Sequence, residues 1–118
     1  MRTDKVNLAA KLAQFQDNWK PRTVARLNEY DIMLVKVRGE FVWHKHDNTD
    51  DFFLVLDGQL EVRLRDRTVV LSPGELFVVP RNVEHQTYAA QEASLLLIEP
   101  TGTPNTGDAR TAAPRQEL

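Results

Sequence analysis

The spacing of hydrophobic positions changes once along the chain. Leu8, Leu12 and Phe15 recur at i, i+4 and i+7, the stripe of a helix, and Asn7 ahead of them can cap the free N–H groups of a first turn. The pattern predicts a short amphipathic helix over 7–18, stopped by Pro21. From Thr23 the period falls to two, and short apolar runs are separated by turn residues. Strands are expected over 24–27, 32–37, 41–46, 51–56, 60–64, 68–71, 76–79, 85–89 and 95–99. Asp57-Gly58 between two apolar runs is a hairpin signal, because both residues tolerate positive φ. Leu60, Val62 and Leu64 alternate with Glu61, Arg63 and Arg65, which describes a strand with one buried and one wet face. Ser72-Pro73-Gly74 suits a type II turn. So many short strands with regular turn signals predict an antiparallel all-β sandwich or barrel.

After Pro100 the composition shifts to Thr, Gly, Pro, Asn and Ala. A stretch so poor in large apolar residues cannot bury enough surface to fold alone, so it is expected to be disordered or to lie along another surface such as a neighbouring subunit. The chain thus divides into a helical segment (1–22), a β domain (23–99) and a tail (100–118).

At 118 residues, one core suffices without staples. The absence of Cys removes disulfides, thiolate ligands and cysteine nucleophiles. A net charge of −2 with no basic cluster argues against a nucleic-acid or membrane binder. The longest apolar runs, 52–56 and 95–98, fall far short of the ~20 residues that span a bilayer. Asp4, Lys5, Lys11 and Gln14 interrupt any signal-peptide core, and a cytoplasmic location is expected.

The three histidines of the chain are His44, His46 and His85. Within a strand, His44 and His46 would share a face with Glu40 and Val42, leaving Phe41, Trp43 and Lys45 on the other. Asp51 opens the following strand and His85 a later one, so three imidazoles and a carboxylate can converge in one cavity. That donor set suits one divalent transition metal such as Zn, Fe, Ni or Mn and leaves positions open for substrate. Imidazole ligands must be neutral, so metal affinity is expected to fall as the pH drops through about 6. Glu40 is a candidate acid or base near the pocket mouth, although a solvated strand-end acid has the same pattern. Arg63, Arg65, Arg67 and Arg81 read as a solvated face, and Phe53 and Val55 as pocket lining.

Two motifs carry a family resemblance. Gly39, His44, His46, Asp51 and Gly58 form the first, and Gly74, Pro80, Asn82 and His85 the second. Together they resemble the paired motifs of the cupin superfamily, and the 15 residues between Gly58 and Gly74 match its compact single-domain members. Glu99-Pro100-Thr101-Gly102-Thr103 with Asn105-Thr106-Gly107 also resembles a group of small bacterial monocupins, some labelled mannose-6-phosphate-isomerase-like, a label of fold and not of function. The resemblance implies a double-stranded β-helix. Four positions depart from the pattern. Gly39 and His44 are separated by four residues instead of five, Asp51 stands for Glu, Asn82 for Gly, and Ala89 for a trailing Asn. Asn is at ease at positive φ. The shorter side chain of Asp51 leaves three roles open: direct ligand, ligand through water, or partner orienting an imidazole. Asp50 falls on the opposite face.

The expected function is a small metal-dependent cupin acting on a small polar metabolite, of isomerase, lyase or dehydratase type. The alternatives are an iron dioxygenase or a non-catalytic ligand-binding barrel. Exposed Phe41 and Trp43, with family habit, suggest a homodimer in which the N-terminal helix or the tail crosses to the partner.

Overall fold

The computed structural model describes residues 4–118, and the first three residues of the helical segment lie outside that range. The elements are one helix, α1 (Leu8–Leu12), and eight strands: β1 (Arg22–Leu27), β2 (Tyr30–Glu40), β3 (Asp51–Asp57), β4 (Leu60–Leu64), β5 (Thr68–Leu71), β6 (Leu76–Val79), β7 (His85–Pro100) and β8 (Gln116–Glu117). The fold is all-β with a short N-terminal helix, a double-stranded β-helix as the motifs imply, in a sheet that does not close completely.

The long strand β7 organises the sheet. One of its edges carries β2 from Tyr30↔Pro100 to Glu40↔Tyr88. Its other edge carries β4 over residues 85–88 and β3 over residues 94–96. Strands β5 and β6 extend the sheet from β4 and β3. The two expected strands 85–89 and 95–99 are therefore one element. The exposed Ala90-Gln91-Glu92 segment between them is where the β2 pairing shifts register, and such a bulge bends a strand without ending it.

Alternation places Met33, Val35 and Val37 of β2, Phe53 and Val55 of β3, Leu60 and Val62 of β4, and Leu95 and Leu97 of β7 in one interior core. The outer face of β2 is also covered. Phe15, Val24 and Leu34 are buried there beneath Leu8 and Leu12 of α1, with Leu118 alongside. Asn7 caps α1 as expected, its Oδ1 accepting from Ala10 N at 3.0 Å. The helix ends at Leu12 and does not reach residue 18. Beyond it the chain turns, so that Phe15 is buried against the sheet while its carbonyl accepts from Lys36 Nζ at 2.7 Å.

The tail is ordered along this chain's own barrel. Gln116-Glu117 pairs in parallel with Arg22-Thr23, and the Leu118 carbonyl accepts from Lys11 Nζ at 3.1 Å. Composition does not anticipate this because the anchor is ionic: Arg115 reaches the buried Asp31 at 2.8 Å.

Gly58 and Gly74 both stand at positive φ, +82° and +85°. A Cβ at Gly58 would also meet the Glu92 carbonyl oxygen at 2.8 Å and Ala93 Cα at 2.9 Å, whereas nothing lies within 4 Å of one at Gly74. Gly74→Ala is expected to cost about 1–2 kcal/mol from backbone conformation alone. Gly58→Ala is expected to cost distinctly more, and urea unfolding of the two variants measures the difference. Equal losses would remove the close approach as a cause.

Candidate metal centre

Four side chains meet at one end of the barrel. His44, His46, Asp51 and His85 each offer a donor atom, and these atoms lie within 4.8 Å of one another. Asp51 comes from the first residue of β3 and His85 from the first residue of β7. His44 and His46 belong to the segment 41–50, which is not the strand expected from its pattern. It is held by single contacts instead. His44 and His85 exchange backbone hydrogen bonds at 3.0 and 2.9 Å as an isolated bridge, and Asn82 N donates to the His46 carbonyl at 2.8 Å. Asn82 adopts φ +67°, the left-handed conformation for which Gly is the usual residue.

Because the ladder breaks after Glu40, alternation does not carry across the break. Phe41 keeps the inward parity of Val37, stacks on Trp19 with centroids 4.7 Å apart, and meets the His44 ring edge-on. Val42 points outward and is exposed. Phe41 and Val42 are thus reversed from the expected faces. Glu40 lies away from the cluster, exposed and paired with Arg63 at 2.7 Å. Trp43 points outward beneath the Arg65 guanidinium, 3.8 Å from the ring centroid. Asp50 is also outside, accepting from Arg81 N at 2.9 Å.

The hydrogen bonds orient the imidazoles. His44 Nδ1 lies 2.9 Å from the Val42 carbonyl and His85 Nδ1 lies 3.0 Å from the Val83 carbonyl. A carbonyl only accepts, so each Nδ1 carries its proton outward, and in the neutral ring each Nε2 presents its lone pair inward. Asp51 Oδ2 is 2.9 Å from His85 Nε2 and 3.2 Å from His46 Nε2. The second approach lacks hydrogen-bond alignment, so His46 Nε2 is buried with no hydrogen-bond partner.

Charge follows the same arrangement. Burial pushes His44 down to about 4. For this imidazole, the loss of the lone pair expected near pH 6 moves to about 4. Burial alone would raise Asp51, but His46 and His85 beside it outweigh burial and hold its carboxyl well below the usual range. A partnerless imidazole nitrogen, two lone pairs fixed inward and an ionised carboxylate are the donors a divalent ion requires. Donors about 2.1 Å from one ion lie at most about 4.2 Å apart, so the cluster is already close to that size. The residues present fit a divalent metal.

A small cavity of about 40 Å³ adjoins His44 and Asp51. Its walls are mainly apolar, with Trp19, Val35, Val37, Phe41, Phe53, Leu95 and Leu97, and its remaining polar residues are Thr87, Glu99 and Asn105. Glu99 is the residue that sequence reasoning missed. It is 4% exposed, sits beside Asp51 and pairs with Arg115 at 3.3 Å. Burial, then the charge of Asp51, pushes its carboxyl well above the ordinary range despite Arg115. Its position offered one signal, an acid in register with the inward face of the otherwise apolar Leu95–Leu97–Glu99 run.

Comparison with known proteins agrees with this geometry. The cupin domain model matches residues 31–99. A crystal structure of a cupin-2 domain protein from Shewanella frigidimarina is 43% identical with a TM-score of 0.80, covering 80% of this chain and 93% of that one. Protein NMB1881 from Neisseria meningitidis is 30% identical with a TM-score of 0.75, covering 83% and 100%. The YdbB protein of Bacillus subtilis is 27% identical over 94 residues, 79% of this chain and 83% of its own length. The motif residues, the curled sheet built on β7 and these matches place the chain in the cupin family.

Proposed function

We propose that this cupin is a divalent-metal-dependent enzyme acting on a small oxygen-bearing substrate, in a reaction of isomerase, lyase or dehydratase type. The observation that carries the reading is the buried His44–His46–Asp51–His85 cluster with its partnerless His46 Nε2, beside a cavity into which His44 and Asp51 face. A bound divalent ion supplies Lewis-acid polarisation of a substrate oxygen.

This chain's own residues set the rest. The apolar walls suit a small apolar substrate body, with its chelating oxygens toward His44 and Asp51. The expected polar metabolite is thereby narrowed to one with a polar head and a small apolar body. Glu99, whose carboxyl burial and Asp51 push above the ordinary range, lies in the same cavity, where it can pass a proton to, or recover it from, a substrate atom. That role belongs to Glu99 by position, since Glu40 is exposed and engaged by Arg63.

Protein purified without chelator is expected to hold near one equivalent of a single divalent transition metal by elemental analysis. His44→Ala and Asp51→Ala should each lower affinity at least about tenfold. Turnover of any substrate should stop on metal removal, whereas a binding barrel would show ligand-induced stabilisation without turnover. Iron as the sole metal would redirect the reading to dioxygen chemistry, and no metal after reconstitution would overturn it.

In metal-free protein two groups link stability to pH in opposite directions. His44 is lowered on folding, so between about 4 and 6.5 the unfolded chain binds the extra proton and stability rises with pH. Glu99 is raised on folding, so above its ordinary value of 4.5 the folded chain holds the extra proton and stability falls with pH. Glu99→Gln keeps the first effect and removes the second. The melting temperature of the variant minus that of wild type, both in EDTA, should therefore increase as pH rises above about 4.5. A difference independent of pH would show that Glu99 is ionised in the fold.

A further inference from the structure

The tail has one side chain that enters the barrel's polar interior. Arg115 is 18% exposed and divides its guanidinium between two strands. Nη1 donates to Asp31 Oδ2 on β2 at 2.8 Å, and Nη2 donates to Glu99 Oε2 on β7 at 3.3 Å and to the Thr103 carbonyl. Both carboxylates are nearly inaccessible, at 1% for Asp31 and 4% for Glu99. Asp31 has two more partners, Arg26 at 3.1 Å and Thr101 at 2.8 Å. The other arginine that the tail places among described residues, Arg110, instead pairs locally with Asp108 and is 88% exposed.

Glu99 in turn faces the same cavity as Asp51, close enough for the two carboxyl groups to act on each other, and tail residue Asn105 lines it with them. A continuous set of contacts therefore runs from Arg115 through Glu99 to Asp51. Farther along, the tail is seated on the segment that bears the histidines, since a Cβ at Gly107 would fall 2.1 Å from the Lys45 carbonyl oxygen.

We propose that Arg115 is a positioning residue of the metal centre, holding Glu99 against Asp51 while it fastens the tail across the cavity. The inference rests on the metal-centre reading above and adds that the tail is part of that centre. An Arg fork can engage two carboxylates with fixed geometry, which a single ammonium cannot reproduce. Loss of Arg115 frees Glu99 to turn and leaves Asp51 without its neighbour, and disturbing the partner of a ligand typically weakens metal binding tenfold to about a hundredfold.

The test titrates Co²⁺ into metal-free, full-length wild type, Arg115→Ala, Arg115→Lys and Arg110→Ala, following the visible absorption of the bound ion. Each metal-free protein is also digested with elastase, which cuts after small residues such as Ala112. Wild type and Arg110→Ala should bind Co²⁺ alike. Arg115→Ala should bind at least about tenfold more weakly, with a shifted band and faster cleavage of the tail. Arg115→Lys should fall between and, if the alanine variant does not fold, decides the question. Faster cleavage with unchanged Co²⁺ affinity and band would reduce Arg115 to a tail anchor and overturn the proposal. Unchanged behaviour on both readouts would overturn it as well. Failure of wild type and Arg110→Ala to bind Co²⁺ would overturn the metal-centre reading itself, and this inference with it, a result distinct from either of the others.

Discussion

A buried carboxylate charge, that of Asp51, is the constraint around which the site is built. Removing an ionised carboxylate from water costs several kcal/mol, and the structure must return that through partners. Here the partners are imidazoles arriving from two other places in the chain, one on β7 and two on an irregular segment. Their Nδ1 protons are committed to the carbonyls of Val42 and Val83, which leaves acceptor nitrogens facing an acceptor carboxylate. Without a cation, the protein chain supplies too few protons for these contacts. A divalent ion would satisfy the partnerless His46 Nε2 and the other three donors at once.

The same constraint explains the architecture. His44 and His46 need no strand of their own, because the backbone exchange with His85 and the contact from Asn82 to His46 fix them against the start of β7. Strand β7 in turn carries His85 at one end and Glu99 at the other, with the apolar Leu95 and Leu97 between the bulge and the acid. The bulge over 90–92 lets one continuous strand carry both His85 and Glu99 to the neighbourhood of Asp51. Apolar walls next to the charged cluster keep the local dielectric low, which strengthens each interaction at the centre and sharpens the cost of any unpaired group.

The site was legible in the sequence where the signal was local. Three histidines, an acid at a strand start and glycines at turns identify the ligand set, and their spacing resembles a known family. The alternation in β2, β3 and β4 identifies the inward residues, among them Phe53 and Val55. What the pattern missed were breaks. Alternation counted back from His44 and His46 predicts Val42 inward, but the ladder ends at Glu40, and Phe41, which keeps the parity of β2, faces inward with Val42 outward. The gap between 89 and 95 suggested two strands, yet a bulge accommodates three exposed residues without ending pairing. Both are decided by hydrogen bonds to a distant strand, which no local period encodes.

The tail shows the third kind of blindness. Hydrophobic content is the usual measure of whether a segment can order itself, and by that measure residues 100–118 fail. Their order comes from elsewhere: Asp31 is an acid on an inward-facing position of β2, held below its ordinary range by cationic and hydroxyl partners, and Glu99 is a second buried acid on β7. Arg115 answers both. Burying the Asp31 charge would be less favourable without that guanidinium, and the tail would have little reason to dock without the two acids. Each is intelligible only with the other, so the boundary at Pro100 that composition suggests divides two parts of one polar network, and the segment that looks most dispensable in the sequence lines the cavity beside the His44–His46–Asp51–His85 cluster.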